Sequence, residues 1–166
     1  MFPDELDIQP MSGEAQASDC AGMMAQSEPW LTLGRGYEDS LAILRNPAKE
    51  YYVALVGGQV AGFLILDMRG PLAGYMQTIC VRPDLRGHGI GTGLIAWAEQ
   101  RIGRESPNVF LCVSSFNEAA QRLYSRLGYD VVGRLADFLV PGHDEVLLRK
   151  TTGPWSSYLK KPITGT

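Results

Sequence analysis

A hairpin in the middle of the chain limits its fold more than any other feature. Tyr51-Tyr52-Val53-Ala54-Leu55-Val56 and Val60-Ala61-Gly62-Phe63-Leu64-Ile65-Leu66 are runs of strand-forming residues on either side of Gly57-Gly58. Two glycines can take the positive φ that a tight hairpin turn requires. Gly70-Pro71 then turns the chain into a third run, Tyr75 to Val81, which Pro83 stops. A three-strand antiparallel meander is therefore expected, and the rest of the chain must cover it.

The flanking segments supply that cover. Alternation in Leu6-Asp7-Ile8-Gln9 predicts a short opening strand closed by Pro10. Helix formers fill residues 13–27 until Pro29-Trp30, and a second helix is expected from Tyr37 to Leu44, ended by Asn46-Pro47. Beyond the meander, Ile90, Leu94, Trp97, Ala98 and Ile102 recur at helical spacing. Val109-Phe110-Leu111-Cys112-Val113 reads as a strand covered on both faces. Asn117 can cap a helix that carries Ala120, Leu123, Tyr124 and Leu127 on one stripe and ends at Gly128. Two last strands, Tyr129–Val140 and Val146–Arg149, enclose Pro141-Gly142-His143-Asp144. The order predicts one α/β domain of the α+β kind over residues 1–150, with an irregular tail over 151–166.

Composition narrows the function. The 166 residues suit one core, which normally serves roughly 100–200 residues. A net charge of −3 argues against holding nucleic acid by bulk electrostatics. No apolar run approaches the roughly 18 residues of a membrane span, and the acidic start lacks the basic opening of a secretory signal. A cytoplasmic protein with no membrane and no nucleic-acid partner is expected. The three cysteines have no metal-binding spacing, so no metal site is expected, and Cys80 and Cys112 read as small core residues of a reducing compartment. The charge is unevenly distributed: all 15 bases lie beyond residue 34, where they face 12 of the 18 acids.

The chemistry is concentrated in Val81-Arg82-Pro83-Asp84-Leu85-Arg86-Gly87-His88-Gly89-Ile90-Gly91-Thr92, which joins a strand to a helix start. Glycines let a ligand approach the backbone, and the unpaired N–H groups and positive dipole end of a helix attract an anion. Arg86 adds a full charge. A phosphorylated ligand fits this description, and so does a turn that merely allows close helix–sheet packing. The dinucleotide fingerprint fails in every register, because Thr92, Leu94 and Ala96 stand where its last glycine would fall. A Walker loop fails for want of a Gly-Lys-Ser/Thr.

The segment resembles the acyl-CoA signature of the GNAT N-acetyltransferase superfamily, Q/R-x-x-G-x-G/A, as Arg86-Gly87-His88-Gly89-Ile90-Gly91 after Val81-Arg82-Pro83. Asn117 to Tyr129 is similar to the same family's N-x-x-A-x-x-x-Y-x-x-x-G-F/Y. The resemblance implies a mixed, mostly antiparallel sheet of about seven strands flanked by four helices. It implies acetyl-CoA as co-substrate and direct acetyl transfer to a primary amine of a small molecule or peptide in a ternary complex. A non-catalytic acyl-CoA sensor is the alternative, and a homodimer is a family habit. The resemblance places the cofactor's pyrophosphate on the amides of Arg86, Gly87, His88, Gly89, Ile90, Gly91 and Thr92. It places the pantetheine arm along Ile79, Cys80 and Val81, with Asn117 touching it and Tyr124 near the sulfur. A phenol is protonated at neutral pH and can give its proton to a departing thiolate. The competing role for Tyr124 is that of a core residue completing its helix stripe. His88 falls at a variable motif position and reads as a solvated residue.

The acceptor side is less legible. The chain is similar to ribosomal-protein-alanine N-acetyltransferases, but those carry a glutamate base where Cys112 stands and a tyrosine where Phe138 stands. Other members place an acid on the third meander strand, where Tyr75 and Gln77 occur. Asp67, Asp137 and Glu145 remain candidate bases, and His143 is either a base or part of a polar turn. The acceptor wall is expected from Glu28, Trp30, Tyr75, Gln77 and Phe138. Tyr37, Glu38 and Asp39 lie in the same first region, where acids beside aromatics suit an ammonium.

Overall fold

The computed structural model describes residues 6–160. Asp4, Glu5 and the Lys161-Pro162 end of the expected tail lie outside the described residues. The elements run β1 (Asp7–Pro10), α1 (Gly13–Ala25), α2 (Tyr37–Leu44), β2 (Glu50–Val56), β3 (Gln59–Asp67), β4 (Tyr75–Val81), α3 (Ile90–Gly103), β5 (Asn108–Ser114), α4 (Glu118–Arg126), β6 (Asp130–Val140), β7 (His143–Thr151) and α5 (Trp155–Tyr158). One seven-stranded sheet forms in the order β1-β2-β3-β4-β5-β7-β6. Its pairs are antiparallel except β4–β5, which is parallel.

Strand β3 shows why the meander sits at the centre. Side chains alternate across a strand, so Phe63 and Ile65 enter one core with Cys20, Met24 and Leu41 from α1 and α2. Leu64 and Leu66 enter the opposite core with Ile90, Leu94, Ala98 and Ile102 from α3. Every residue from Val60 to Leu66 is buried. The approach of α3 is close enough that a Cβ on Gly62 would stand 2.8 Å from the Cys80 carbonyl and 3.1 Å from Leu94.

Strand β4 carries an irregularity that shapes the site. Ile65 registers with Thr78 but Leu66 with Met76, so Gln77 is an extra residue without an opposite number. Such a bulge reverses the alternation beyond it. Met76 accordingly belongs to the α3 core, whereas Cys80, four residues on, belongs to the α1–α2 core.

The two central parallel strands meet at their start and then part. Tyr75 registers with Phe110, and Phe110 N–H donates to the Gly74 carbonyl at 3.0 Å. Gly74 has φ +94, and a Cβ there would stand 2.4 Å from the Asn108 carbonyl oxygen. Gly74→Ala should therefore strain the backbone and push β4 and β5 apart where they touch. The expected cost is roughly 2–4 kcal/mol of stability, read by denaturant unfolding, and an unchanged midpoint would contradict the junction's role.

Three expectations need correction. The last turn is tighter than expected: Val140 registers with His143 across Pro141-Gly142, so His143, Asp144 and Glu145 belong to β7. The stretch after residue 150 holds the end of β7 and the short helix α5. Cys112 is half-buried, not a core residue, because its face of β5 is the one left bare where β4 departs.

Candidate active site

The loop between β4 and α3 forms a main-chain cradle. Gly87 and Gly89 take φ +79 and +84, and α3 opens on Gly89 with no side-chain cap. The Gly93 N–H closes the first turn onto the Gly89 carbonyl at 2.9 Å. Helix geometry then leaves the N–H groups of Ile90, Gly91 and Thr92 without intrahelical partners. No side chain obstructs Gly87, where a Cβ would meet nothing within 4 Å among the described residues.

The charged residues around this loop are more engaged than the sequence suggests. The Arg86 N–H donates to the Pro83 carbonyl at 3.5 Å, so the free amides begin after it. The Arg86 guanidinium donates to Ser27 Oγ at 3.0 Å and to the Val81 carbonyl at 3.3 Å. Arg82 is paired with Asp84 at 2.7 Å, so its charge is already offset. His88 is exposed, and its Nδ1 lies 3.1 and 3.0 Å from the Leu85 and Arg86 carbonyls. Carbonyls only accept, so Nδ1 carries the proton and ties the loop together.

The edge of β4 beyond the bulge has its own polarity. Arg82 N–H donates across to the Ala61 carbonyl at 2.8 Å. Antiparallel ladders alternate, so Val81 and Ile79 turn their N–H and C=O groups toward the gap left by β5. Cys80 turns its main chain back toward β3, and its side chain is buried. Of the three residues expected to form a rail, Ile79 thus offers both main-chain groups and Val81 its N–H, since the Val81 carbonyl already accepts from Arg86.

The gap opens into a cavity of about 800 Å³. Its lining includes Gln77 and Ile79 of β4, Cys112 and Ser114 of β5, Asn117 and Tyr124 of the α4 region, and Glu145 of β7. Glu28, Trp30, Tyr75 and Phe138 line it as well, so all five residues expected at the acceptor wall reach the same space. Tyr37, Glu38 and Asp39 are not among the lining residues. Asp39 accepts from the Gly36 N–H at 3.4 Å, a capping role on an exposed helix start.

Tyr124 is held from behind. Its ring meets Tyr129 edge-on at 5.4 Å. The Tyr129 hydroxyl donates to Glu99 at 2.9 Å, and Lys150 donates to the same carboxylate at 3.0 Å. Burial pushes the Tyr124 phenol up to about 12, so it stays protonated throughout the physiological range. Asn117 caps α4 through Oδ1, which accepts from Ala120 N–H at 3.2 Å. Only its amide nitrogen is left to face a ligand.

The candidate bases separate clearly. Asp67 is paired with Lys49 at 3.3 Å, and Lys49 also donates to Gln77 Oε1. Asp137 is exposed and accepts from Gly142 N–H at 2.6 Å. His143 packs on Phe116 with ring centroids 5.1 Å apart and is not among the cavity's lining residues. Glu145, by contrast, lines the cavity, is only 5% exposed, and leaves Oε2 with no hydrogen-bond partner beyond Ser114 among the described residues.

Known proteins resemble this chain in sequence and in fold. The family model described as Acetyltransferase (GNAT) family matches residues 17–129. The N-alpha-acetyltransferase RimI of Mycobacterium tuberculosis is 31% identical over 147 residues, covering 84% of this chain and 89% of that protein. The aminoalkylphosphonate N-acetyltransferase of Salmonella typhimurium is 32% identical over 102 residues, or 57% of this chain; the match spans 66% of that enzyme's length. The crystal structure of an aminoglycoside 6'-N-acetyltransferase complexed with coenzyme A superposes with a TM-score of 0.70 at 16% identity, covering 89% of this chain and 98% of the other.

Proposed function

The chain belongs to the GNAT acetyltransferase family, and from that membership we propose that it moves the acetyl group of acetyl-CoA to a primary amine of a small molecule or peptide by direct attack in a ternary complex. One observation carries the reading: a single cavity joins the free edge of β4, the buried phenol of Tyr124 and an acceptor wall containing Glu28 and Trp30. Donor and acceptor can therefore meet beside a proton donor.

The residues fit the cofactor. Unpaired amides at the start of α3, glycines with positive φ at 87 and 89, and an unobstructed approach suit a diphosphate. Ile79 and Val81 offer main-chain groups to an arm lying along β4 like an added strand, and Asn117 offers its amide nitrogen to the same arm. When bound, acetyl-CoA supplies an activated acetyl carbonyl and a thiolate leaving group. Tyr124 gives its proton to that departing sulfur. The Tyr129–Glu99–Lys150 cluster holds the Tyr124 ring in place. Cys112 lies in the cavity, but burial raises its thiol above the ordinary range, so little thiolate exists to compete as a nucleophile.

We place the activity in the cytoplasm. Among the described residues no helix is long and apolar enough to cross a membrane. The aminoalkylphosphonate and N-alpha-acetyltransferase relatives are both named for amine acetylation, which supports an amine acceptor here. The test is release of the cofactor's thiol in the presence of polyamines, aminoglycosides, amino acids and peptide N-termini. Amine-dependent release with a matching acetylated product is expected. A thermal shift with acetyl-CoA but no release for any amine would instead favour an acyl-CoA sensor.

A further inference from the structure

We infer that Glu145 anchors the acceptor's ammonium and takes its proton, standing on β7 in place of a base on β5. The inference rests on the acetyl-transfer reading and goes beyond it by naming the group that activates the amine. The cavity supplies the geometry. Ser114 registers directly with Glu145 across the β5–β7 pair, and Cys112 lies two residues earlier on the same face of β5. Cys112 is where related enzymes are expected to carry a glutamate. A carboxylate one strand away points into the same cavity.

The local imbalance also points to a ligand. Glu145 Oε2 and Ser114 Oγ are both buried side by side, and apart from each other neither has a hydrogen-bond partner among the described residues. Leaving a buried polar group unpaired is costly, and a charged one more so. An ammonium supplies three donors and a compensating charge at once. The other acids of the region are already committed: Asp67 to Lys49, Asp137 to Gly142, and Glu28 to the Thr32 N–H at 3.1 Å. The groups facing Glu145 are Arg35 from the segment between α1 and α2, His143 on its own strand, Tyr75 of β4, and Cys112 and Ser114 of β5. Burial outweighs the Ser114 hydrogen bond and the opposing charges of Arg35 and His143 and raises the carboxyl above the ordinary range, which makes it a better proton acceptor than a solvated carboxylate.

The proton account balances. Glu145 accepts one proton from the ammonium, freeing the nitrogen lone pair. The N–C bond forms as the C–S bond breaks. Tyr124 gives its proton to the thiolate and is restored by the second proton leaving nitrogen. Glu145 then passes its proton to solvent, so one proton is released for each amide formed.

The test compares Glu145→Gln with the wild type, using an alanine-first tripeptide amide and 2-aminoethylphosphonate as acceptors. At pH 7 kcat/KM should fall roughly ten- to a hundredfold, with acetyl-CoA affinity unchanged. The deficit should shrink as pH approaches the amine's own pKa, because the amine then arrives neutral. A glutamine variant with the wild-type pH profile overturns the inference while leaving acetyl transfer intact. Absence of thiol release by the wild type with every amine of the acceptor panel overturns the reading beneath it. Urea unfolding from pH 5 to 9 gives a readout without cofactor. A carboxyl raised by folding binds its proton more tightly in the folded state, so the wild type should lose stability relative to the glutamine variant as pH rises above the ordinary carboxylate range. Parallel pH dependences would show that Glu145 is not a strained buried carboxyl and would overturn the assignment.

Discussion

Replacing Tyr124 with Phe should lower kcat by roughly 10²–10⁴, the range expected when a general acid is lost. Acetyl-CoA affinity should stay close to that of the wild type, because the diphosphate and arm sites lie on other residues. The phenol's pKa of about 12 means that Tyr124 is protonated from pH 6 to 9. The deficit should therefore be uniform across that range, with no pH at which the variant recovers. Folding offers little room for another explanation. Tyr124 meets Tyr129 ring to ring, and Phe keeps the ring that makes this contact. Unfolding midpoints within error of each other, beside a large loss of kcat, would isolate the proton. A variant with wild-type kcat would remove Tyr124 from the reaction.

Gly89→Glu should lower acetyl-CoA affinity by about a hundredfold or more by calorimetry. Two effects act together. A side chain at φ +84 carries backbone strain of roughly 1–2 kcal/mol. Its carboxylate also enters the field of amides aimed at an anion, where a second negative charge opposes a diphosphate. Gly89→Asn separates the two, since Asn tolerates the left-handed region and carries no charge. The asparagine variant should lose much less affinity than the glutamate variant. Equal losses would mean that strain alone is responsible, and wild-type affinity in both would remove the cradle.

The two variants act on opposite ends of one bound molecule, and the sequence made those ends legible to different degrees. The hairpin, the cradle glycines and the Asn117–Tyr124 spacing are local patterns, each set by turn chemistry or helical period, and the structure forms an element at each. The bulge at Gln77 has no such signature. It follows from how β4 registers against β3, and it decides which side chains reach the cavity. Glu145 stands among the candidate bases in sequence, but its direction is not legible there: Val146, Leu147 and Leu148 form a continuous apolar run, so no alternation reveals which face Glu145 shares. Its orientation follows from pairing with Ser114 on a strand more than thirty residues away. Side-chain partners were equally hidden. Nothing in the spacing reveals that Asp84, two residues on, holds the Arg82 guanidinium.

The charge layout is revised accordingly. The cradle draws on main-chain dipoles more than on arginines, because Arg82 and Arg86 are both engaged with protein groups. On the acceptor side the acid of interest is Glu145, in the basic remainder of the chain and not in its acidic first 34 residues.

Direct transfer, the central claim, is tested most simply by mixing the protein with acetyl-CoA alone and then adding an accepted amine, following thiol release and intact protein mass together. No acetylated protein and no burst of thiol should be seen before the amine is added, followed by thiol and N-acetylated product in equal amounts. A stoichiometric burst with an acetyl group on the protein, chased into product by the amine, would contradict direct transfer and move the chemistry to a nucleophile such as Cys112.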